Sequence, residues 1–144
     1  MRRTMAAMRW SDMDALGHVH NGRFLEYFEA ARADLVNELV DIGRPDGLGL
    51  LVARHEVDYL VPLVYRREPI AVDLWVERIG RSSFTVGYEV VEDDRSVIYG
   101  RALTVIVAVG LPSGRAEPLP DFVREALNGY LREPTDAEPA GPGS

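Results

Sequence analysis

The sequence contains no cysteine. Disulfides, cysteine-ligated zinc and thiol nucleophiles are therefore excluded, and the chain suits a reducing compartment. It also has no apolar run long enough to cross a bilayer. The longest, Ala102 to Leu111, is interrupted by Thr104 and Gly110. After Arg2 and Arg3, the segment Thr4-Met-Ala-Ala-Met8 is too short for the apolar centre of a signal peptide. An excess of basic residues is missing too. The formal net charge is −7, whereas a nucleic-acid partner calls for a basic face. Internal repeats and a second domain are likewise absent from the pattern. A soluble, cytoplasmic protein with no nucleic-acid partner and no membrane partner is expected.

What is present fits one folded unit. The 144 residues are 47% hydrophobic and 27% charged, enough for a single domain with a sizeable core. Residues 1–132 carry the patterned sequence. Residues 133–144 are Pro, Gly and acid with little to bury, and a disordered tail is expected there.

A short strand over residues 4–10 leads into an acidic loop. From about Gly22 to Val40 the apolar residues Phe24, Phe28, Ala31, Leu35 and Leu39 recur at helical spacing, and Leu25, Ala30, Val36 and Val40 widen the stripe. Asn21 is a good N-cap type, and Gly43 and Pro45 stop the helix. The period then changes to two. Strands are expected over Leu51–Tyr65, with Pro62 implying a bulge or an edge, and over Ile70–Ile79, Ser83–Glu92 and Ser96–Val109. Trp75 alternates with the core-facing residues, which suits either an oligomer interface or an ordinary place on the sheet's outer face. A short helix follows from Pro120, placed at its first position, to Leu131. The fold class is α+β: four consecutive antiparallel strands curve around one long helix whose apolar sides lie in the concavity. The open sheet edges suit pairing into an oligomer.

The chemistry concentrates in residues 9–24. Asp12 and Asp14 are spaced by one residue, Gly17 follows, then His18, His20 and Asn21 at the start of the helix. Asp12 suits a turn cap or a pair with Arg9. Asp14 suits either a general base or nucleophile, or a turn residue. His18 suits a contact with loop or substrate as well as a structural role. Asp12, Asp14, His18 and His20 are metal-ligand types, but their spacing fits no metal motif, and no metal or other cofactor is expected. Glu29 is a second candidate base, although Glu29 and Arg32 are placed to pair along the helix. His55 has no partner identifiable from sequence.

Arg9, Asp12-Met-Asp14, Gly17-His-Val19, Asn21, Phe24 and Tyr27-Phe-Glu-Ala-Ala-Arg32, in this order of elements, resemble the hotdog-fold acyl-CoA thioesterases of the 4-hydroxybenzoyl-CoA thioesterase-like branch. Val57-Asp-Tyr-Leu-Val-Pro62 resembles that family's next strand, and Ile79-Gly-Arg-Ser-Ser-Phe84 its turn before the third strand. Two positions depart: His20 stands where Asn is common, and Phe24 where Tyr is. The resemblance implies hydrolysis of an acyl-CoA or acyl carrier protein thioester. Asp14 would act as base or nucleophile, the Asn21 N–H would hold the thioester oxygen, Gly17 would set the turn and His18 would assist. His20, Phe24, Tyr59, Arg81, Ser82 and Ser83 would meet the substrate, and Arg66, Arg67, Arg78 and Arg81 are either phosphate contacts or solvated surface charges. A homodimer or homotetramer through sheet edges or faces is expected. A non-catalytic acyl-CoA-binding hotdog module and a hotdog hydratase or dehydratase are the competing classes.

Overall fold

The computed structural model describes residues 1–43 and 47–132, so the expected tail over 133–144 lies outside the described residues. The elements are β1 (Arg2–Ala6), a 3-10 turn (Trp10–Asp12), α1 (Asn21–Gly43), β2 (Leu48–Tyr59), β3 (Ile70–Ile79), β4 (Ser83–Val91), β5 (Ile98–Gly110) and α2 (Asp121–Asn128). The strands form one antiparallel sheet in the order β1-β3-β4-β5-β2. The expected sequence of elements is found, but the four later strands do not pair consecutively. β2 crosses to the far edge beside β5. Its composition explains the place: Arg54, Glu56 and Asp58 alternate along one of its faces, and a bulge falls between Val52 and Arg54. β3 is buried from Ile70 to Val76 and lies inside the sheet, between β1 and β4.

The helical stripe is buried as its period predicts. Phe24, Phe28, Ala31, Leu35 and Leu39 pack on the concave face against Val72, Leu74, Val86 and Tyr88 and their neighbours. Burying one such side chain stabilises the fold by about 1.5–3 kcal/mol before entropy is counted. α1 lies mainly over β1, β3 and β4; its Phe24 reaches Gly100 and Tyr59 on the β5–β2 side, where the edge strand β2 is left partly exposed. There Val52 is 43% exposed and Tyr59 44%.

α2 buries Val123 and Leu127, with Pro120 as its cap rather than its first residue. The chain beyond it rejoins the sheet edge. The Val76 N–H donates to Tyr130 O (2.7 Å) and the Arg132 N–H to Val76 O (2.8 Å). The Arg132 guanidinium sits 4.6 Å from the Trp75 ring centroid on the outer face, one of the two places expected for Trp75. The indole lies so close over Gly87 that a Cβ there would stand 2.5 Å from it.

The outer face also carries a row of charges across four strands. Arg3 faces Asp73, Asp73 faces Glu89, and Glu89 faces Arg101. Both carboxylates are only 1% exposed. Two buried like charges side by side need counter-charges, and the chain, which has no lysine, supplies arginine forks. Arg3 Nε donates to Asp73 (2.7 Å), Arg101 Nη2 to Glu89 (3.0 Å), and Arg95 from the β4–β5 turn reaches both acids. Burial pushes the Asp73 carboxyl up, but the bonds from Arg3 and Arg95 outweigh it and hold the group below its ordinary value. Arg95→Ala should cost about 2–3 kcal/mol, the low end for a broken buried pair because Arg95 is a third exposed and two arginines remain. The variant's deficit in urea unfolding should persist from pH 7 to 4 and shrink only below pH 4, since Asp73 is held below its ordinary value of 3.8 and its stabilising charge is lost as it protonates there.

Candidate active site

The loop between β1 and α1 is built on Asp12. Its buried carboxylate accepts the Arg9 N–H (3.1 Å), Arg9 Nε (3.2 Å) and the Tyr27 hydroxyl (3.1 Å), with Arg23 Nε at 3.6 Å. The expected pair with Arg9 is present. Burial, then the neighbouring Asp12 charge, raises the Tyr27 phenol far above its ordinary pKa, so it remains a donor at all working pH.

Beyond Asp12 the chain forms a small hairpin in which Met13 pairs with Val19. The Asp14 N–H donates to His18 O (2.7 Å), the Gly17 N–H to Asp14 O (3.1 Å) and the His20 N–H to Asp12 O (2.8 Å). Gly17 closes the turn at φ +77°, a conformation open to glycine at no steric cost. The hairpin is tied to the segment after β2: the Val19 N–H donates to Leu63 O (2.7 Å), and His18 bridges to Val64.

Asp14 is exposed and has two distinct oxygens. Oδ1 accepts the N–H groups of Leu16 (2.9 Å) and His18 (3.1 Å), forming the turn. Oδ2 has no partner among the described residues. The Leu16 bond above all outweighs the cost of burial and, with the His18 bond, holds the carboxyl below its ordinary value. Both roles foreseen for Asp14, turn residue and available carboxylate, are open to the same side chain.

The helix start differs from expectation in one respect. Asn21 is the first helical residue, and His20 is the cap: its Nδ1 accepts the Gly22 N–H (3.0 Å) and its O accepts the Arg23 N–H (2.8 Å). The Asn21 N–H has no partner among the described residues. A cleft of about 400 Å³ opens here, lined by Ser11, Asp12, Met13, His20, Gly22 and Arg23. Glu26 balances the nearby cations, accepting from Arg9 and Arg23 at 2.7 Å each.

Phe24 is buried over Gly100 and meets Tyr59 edge to face at 5.4 Å. The lost hydroxyl at this position leaves a packing ring, and Tyr59 stands at the same end of the sheet. Arg81, Ser82 and Ser83 do not. Ser83 faces Val107 on β5, seven residues from Gly100, about 23 Å at strand rise. Arg66 is engaged by Glu92 (2.8 Å). Arg32 donates to the Tyr88 hydroxyl (3.3 Å), and the expected pair with Glu29 does not form. His55 has a partner after all, Thr104 Oγ1 at 2.9 Å; burial, then the Arg32 charge, lowers its pKa. Among the described residues no three carboxylate or imidazole groups converge as metal ligands. The Tyr27 bond to Asp12 and the capping by His20 are not among the sequence expectations. Tyr27 belongs to the Tyr-Phe-Glu segment, but a contact between residues 12 and 27 has no local signal. The cap does have one: a residue with a free acceptor directly before a helical run.

A long helix against one antiparallel sheet, with an acidic hairpin at the helix N-terminus, is the α+β arrangement expected for this chain. The family model of the thioesterase-like superfamily matches residues 8–127, and the chain belongs to that superfamily. Among solved structures it is similar to a predicted thioesterase from Bacillus stearothermophilus (28% identity, 92% of this chain and 97% of that one, TM-score 0.81). It is also similar to a thioesterase from Thermus thermophilus solved with coenzyme A and Zn (32% identity, 92% and 95%, TM-score 0.72). A candidate acyl-CoA thioesterase from Xanthomonas campestris is 32% identical over 81% of this chain and 97% of that one, with a TM-score of 0.68. No protein of curated function matches the chain. The expected hotdog fold is the fold observed.

A Cβ at Gly17 would touch nothing within 4 Å, so a substitution there is felt through the backbone alone. Gly17→Ala should cost about 1–2 kcal/mol and Gly17→Asn less, as Asn tolerates the left-handed region; thermal unfolding of the two variants would show the order.

Proposed function

We propose that the protein hydrolyses acyl-CoA thioesters, with Asp14 as base or nucleophile and the Asn21 N–H as the donor for the carbonyl oxygen. One observation carries this reading. A carboxylate oxygen and a helix N-terminal N–H, both without partners among the described residues, flank the same hairpin. A thioester at the end of α1 would direct its carbonyl oxygen to the Asn21 N–H, where the helix dipole favours the developing negative charge. Asp14 Oδ2, ionised at neutral pH, would then either take a proton from water attacking the carbonyl carbon or attack that carbon itself. In both routes the C–S bond breaks as the tetrahedral intermediate collapses and the thiolate leaves. In the first it takes the proton that Asp14 removed from water. In the second it leaves an Asp14 anhydride, which water then hydrolyses to the free acid and a free Asp14, the proton going to the thiolate.

The partly exposed β2 edge supports a two-fold assembly as part of this site. β2 is an edge strand, and on its concave side Val52 and Tyr59 stay half exposed even though Phe24 of α1 meets Tyr59. Antiparallel pairing of two β2 edges would extend the sheet, and each α1 would sit beside the other in the shared concavity. The Tyr59 end of one β2 would then meet the Leu48 end of the other. That end lies with the β3–β4 turn, because Leu48 faces Gly110 and Ser83 faces Val107 on β5. Arg81, Ser82 and Ser83 of a second copy would thus stand about three strand spacings, ~14 Å, across from the first copy's Tyr59, where they can meet the CoA portion of a substrate.

Asp14→Asn preserves an acceptor for the Leu16 and His18 N–H groups and removes the carboxylate. It should unfold within about 3 °C of wild type yet lower kcat at least about 100-fold in thiol release from a panel of aryl, short-chain and long-chain acyl-CoAs. Wild-type rates in this variant would remove Asp14 from the mechanism, and no release by wild type from any substrate would leave an acyl-CoA-binding module instead. Val52→Asp places a charge in the proposed interface. It should convert a dimer to a monomer in light scattering and lose most activity with it, whereas a monomeric wild type would refute the assembly.

A further inference from the structure

We propose that His20 is a positioning residue: its neutral imidazole caps α1 and holds the Asn21 N–H open at the site, and protonation of this one ring undoes that arrangement. The catalytic consequence rests on the thioesterase reading; the cap itself rests on hydrogen bonding alone.

The first turn of α1 presents three donors. The Arg23 N–H is taken by His20 O and the Gly22 N–H by His20 Nδ1, which leaves Asn21's facing outward. The ring is fixed from two sides. The His20 N–H is anchored on Asp12 O, and the imidazole lies against Gly22, where a Cβ would stand 3.2 Å from Nδ1. An imidazole that accepts at Nδ1 must carry its proton on Nε2. A protonated ring has no lone pair left. Its Nδ1–H would point at the Gly22 N–H, donor against donor, with a positive charge at the positive end of the helix dipole. The ring must then turn away, the cap is lost, and the turn that carries the Asn21 N–H frays.

The charged groups around the ring leave this response intact. Asp12 is committed to Arg9 and Tyr27, and Arg23 is paired with Glu26. His18 lies across the hairpin beside Asp14. Asp14 feels charge on both histidines, and its open oxygen is an acceptor toward which a protonated His20 would be drawn, away from Gly22. Asp14 itself is held below the ordinary carboxylate range and cannot supply an acid limb near neutrality.

The test uses the full chain as wild type, His20→Asn and His20→Ala. Asn offers a cap oxygen that does not titrate, and Ala offers none. Thermal unfolding from pH 8 to pH 5 needs no substrate: wild type should fall roughly 2–5 °C relative to His20→Asn across that interval if the cap is lost on protonation. The kcat/KM profile for thiol release, with the best acyl-CoA of the panel, should show an acid limb in wild type that is gone in His20→Asn. His20→Ala should lose about tenfold at pH 8, and Asn should restore it. Parallel unfolding curves for wild type and His20→Asn would overturn the cap. An acid limb that survives in His20→Asn would overturn the positioning role. If wild type releases no thiol at all, the thioesterase reading fails, while the unfolding gap still decides the cap.

Discussion

A single buried carboxylate organises the end of the molecule that carries the proposed site. Asp12 is almost completely removed from water, which is costly unless every lone pair finds a donor. It finds them in the chain before it and in a tyrosine on α1, and Arg23 in the first turn of α1 adds its charge at 3.6 Å. Its own carbonyl holds the residue that caps the helix. The loop, the helix start and the helix face are thereby locked to one another. Asp14 and Asn21 face solvent with free groups because Asp12 does not: the burial of one acid holds the frame in which the other stays available.

The sheet shows a second division of labour, between its halves. β3 and β4 are apolar on the concave side and covered by α1, while their outer face buries Asp73 and Glu89 beneath arginine forks. Arginine suits that face because its planar group reaches two carboxylate oxygens at once. The β5–β2 side is less fully covered: Phe24 reaches Tyr59, yet Val52 and Tyr59 stay half exposed and β2 is an edge strand. A partly exposed edge of this kind fits the proposed twofold core. The proposed twofold pairing and the distant position of Arg81, Ser82 and Ser83 follow from that same asymmetry.

Much of this is legible in the chain. The apolar residues from Phe24 to Leu39 repeat at helical spacing over several turns, and the alternation in β3 and β4 is as plain, so elements and faces can be read. The Asp12–Asn21 segment is legible as a site because acids, a glycine and a helix start crowd together. Strand order is not, since a period of two says which face a residue occupies and nothing about which strand lies beside it. Order along the chain puts β2 next to β3, and it stands beside β5. The roles inside the site are legible by type rather than by partner. The pair of Asp12 with Arg9 is as expected, but His20 provides the cap expected of Asn21, and His55, with no partner identifiable from sequence, has Thr104 opposite.

Residues close along the chain are enough to set the elements, the single apolar core, the acidic hairpin and the family, because each depends on near neighbours or on a local motif. Only the folded chain settles which acid is buried and which is free, which residue caps α1, and which edge of the sheet is left partly exposed. Those outcomes depend on competition for donors and for covering surface among residues such as 12 and 27, 20 and 22, or 55 and 104. The winner is set by distances in space, which spacing along the chain does not encode.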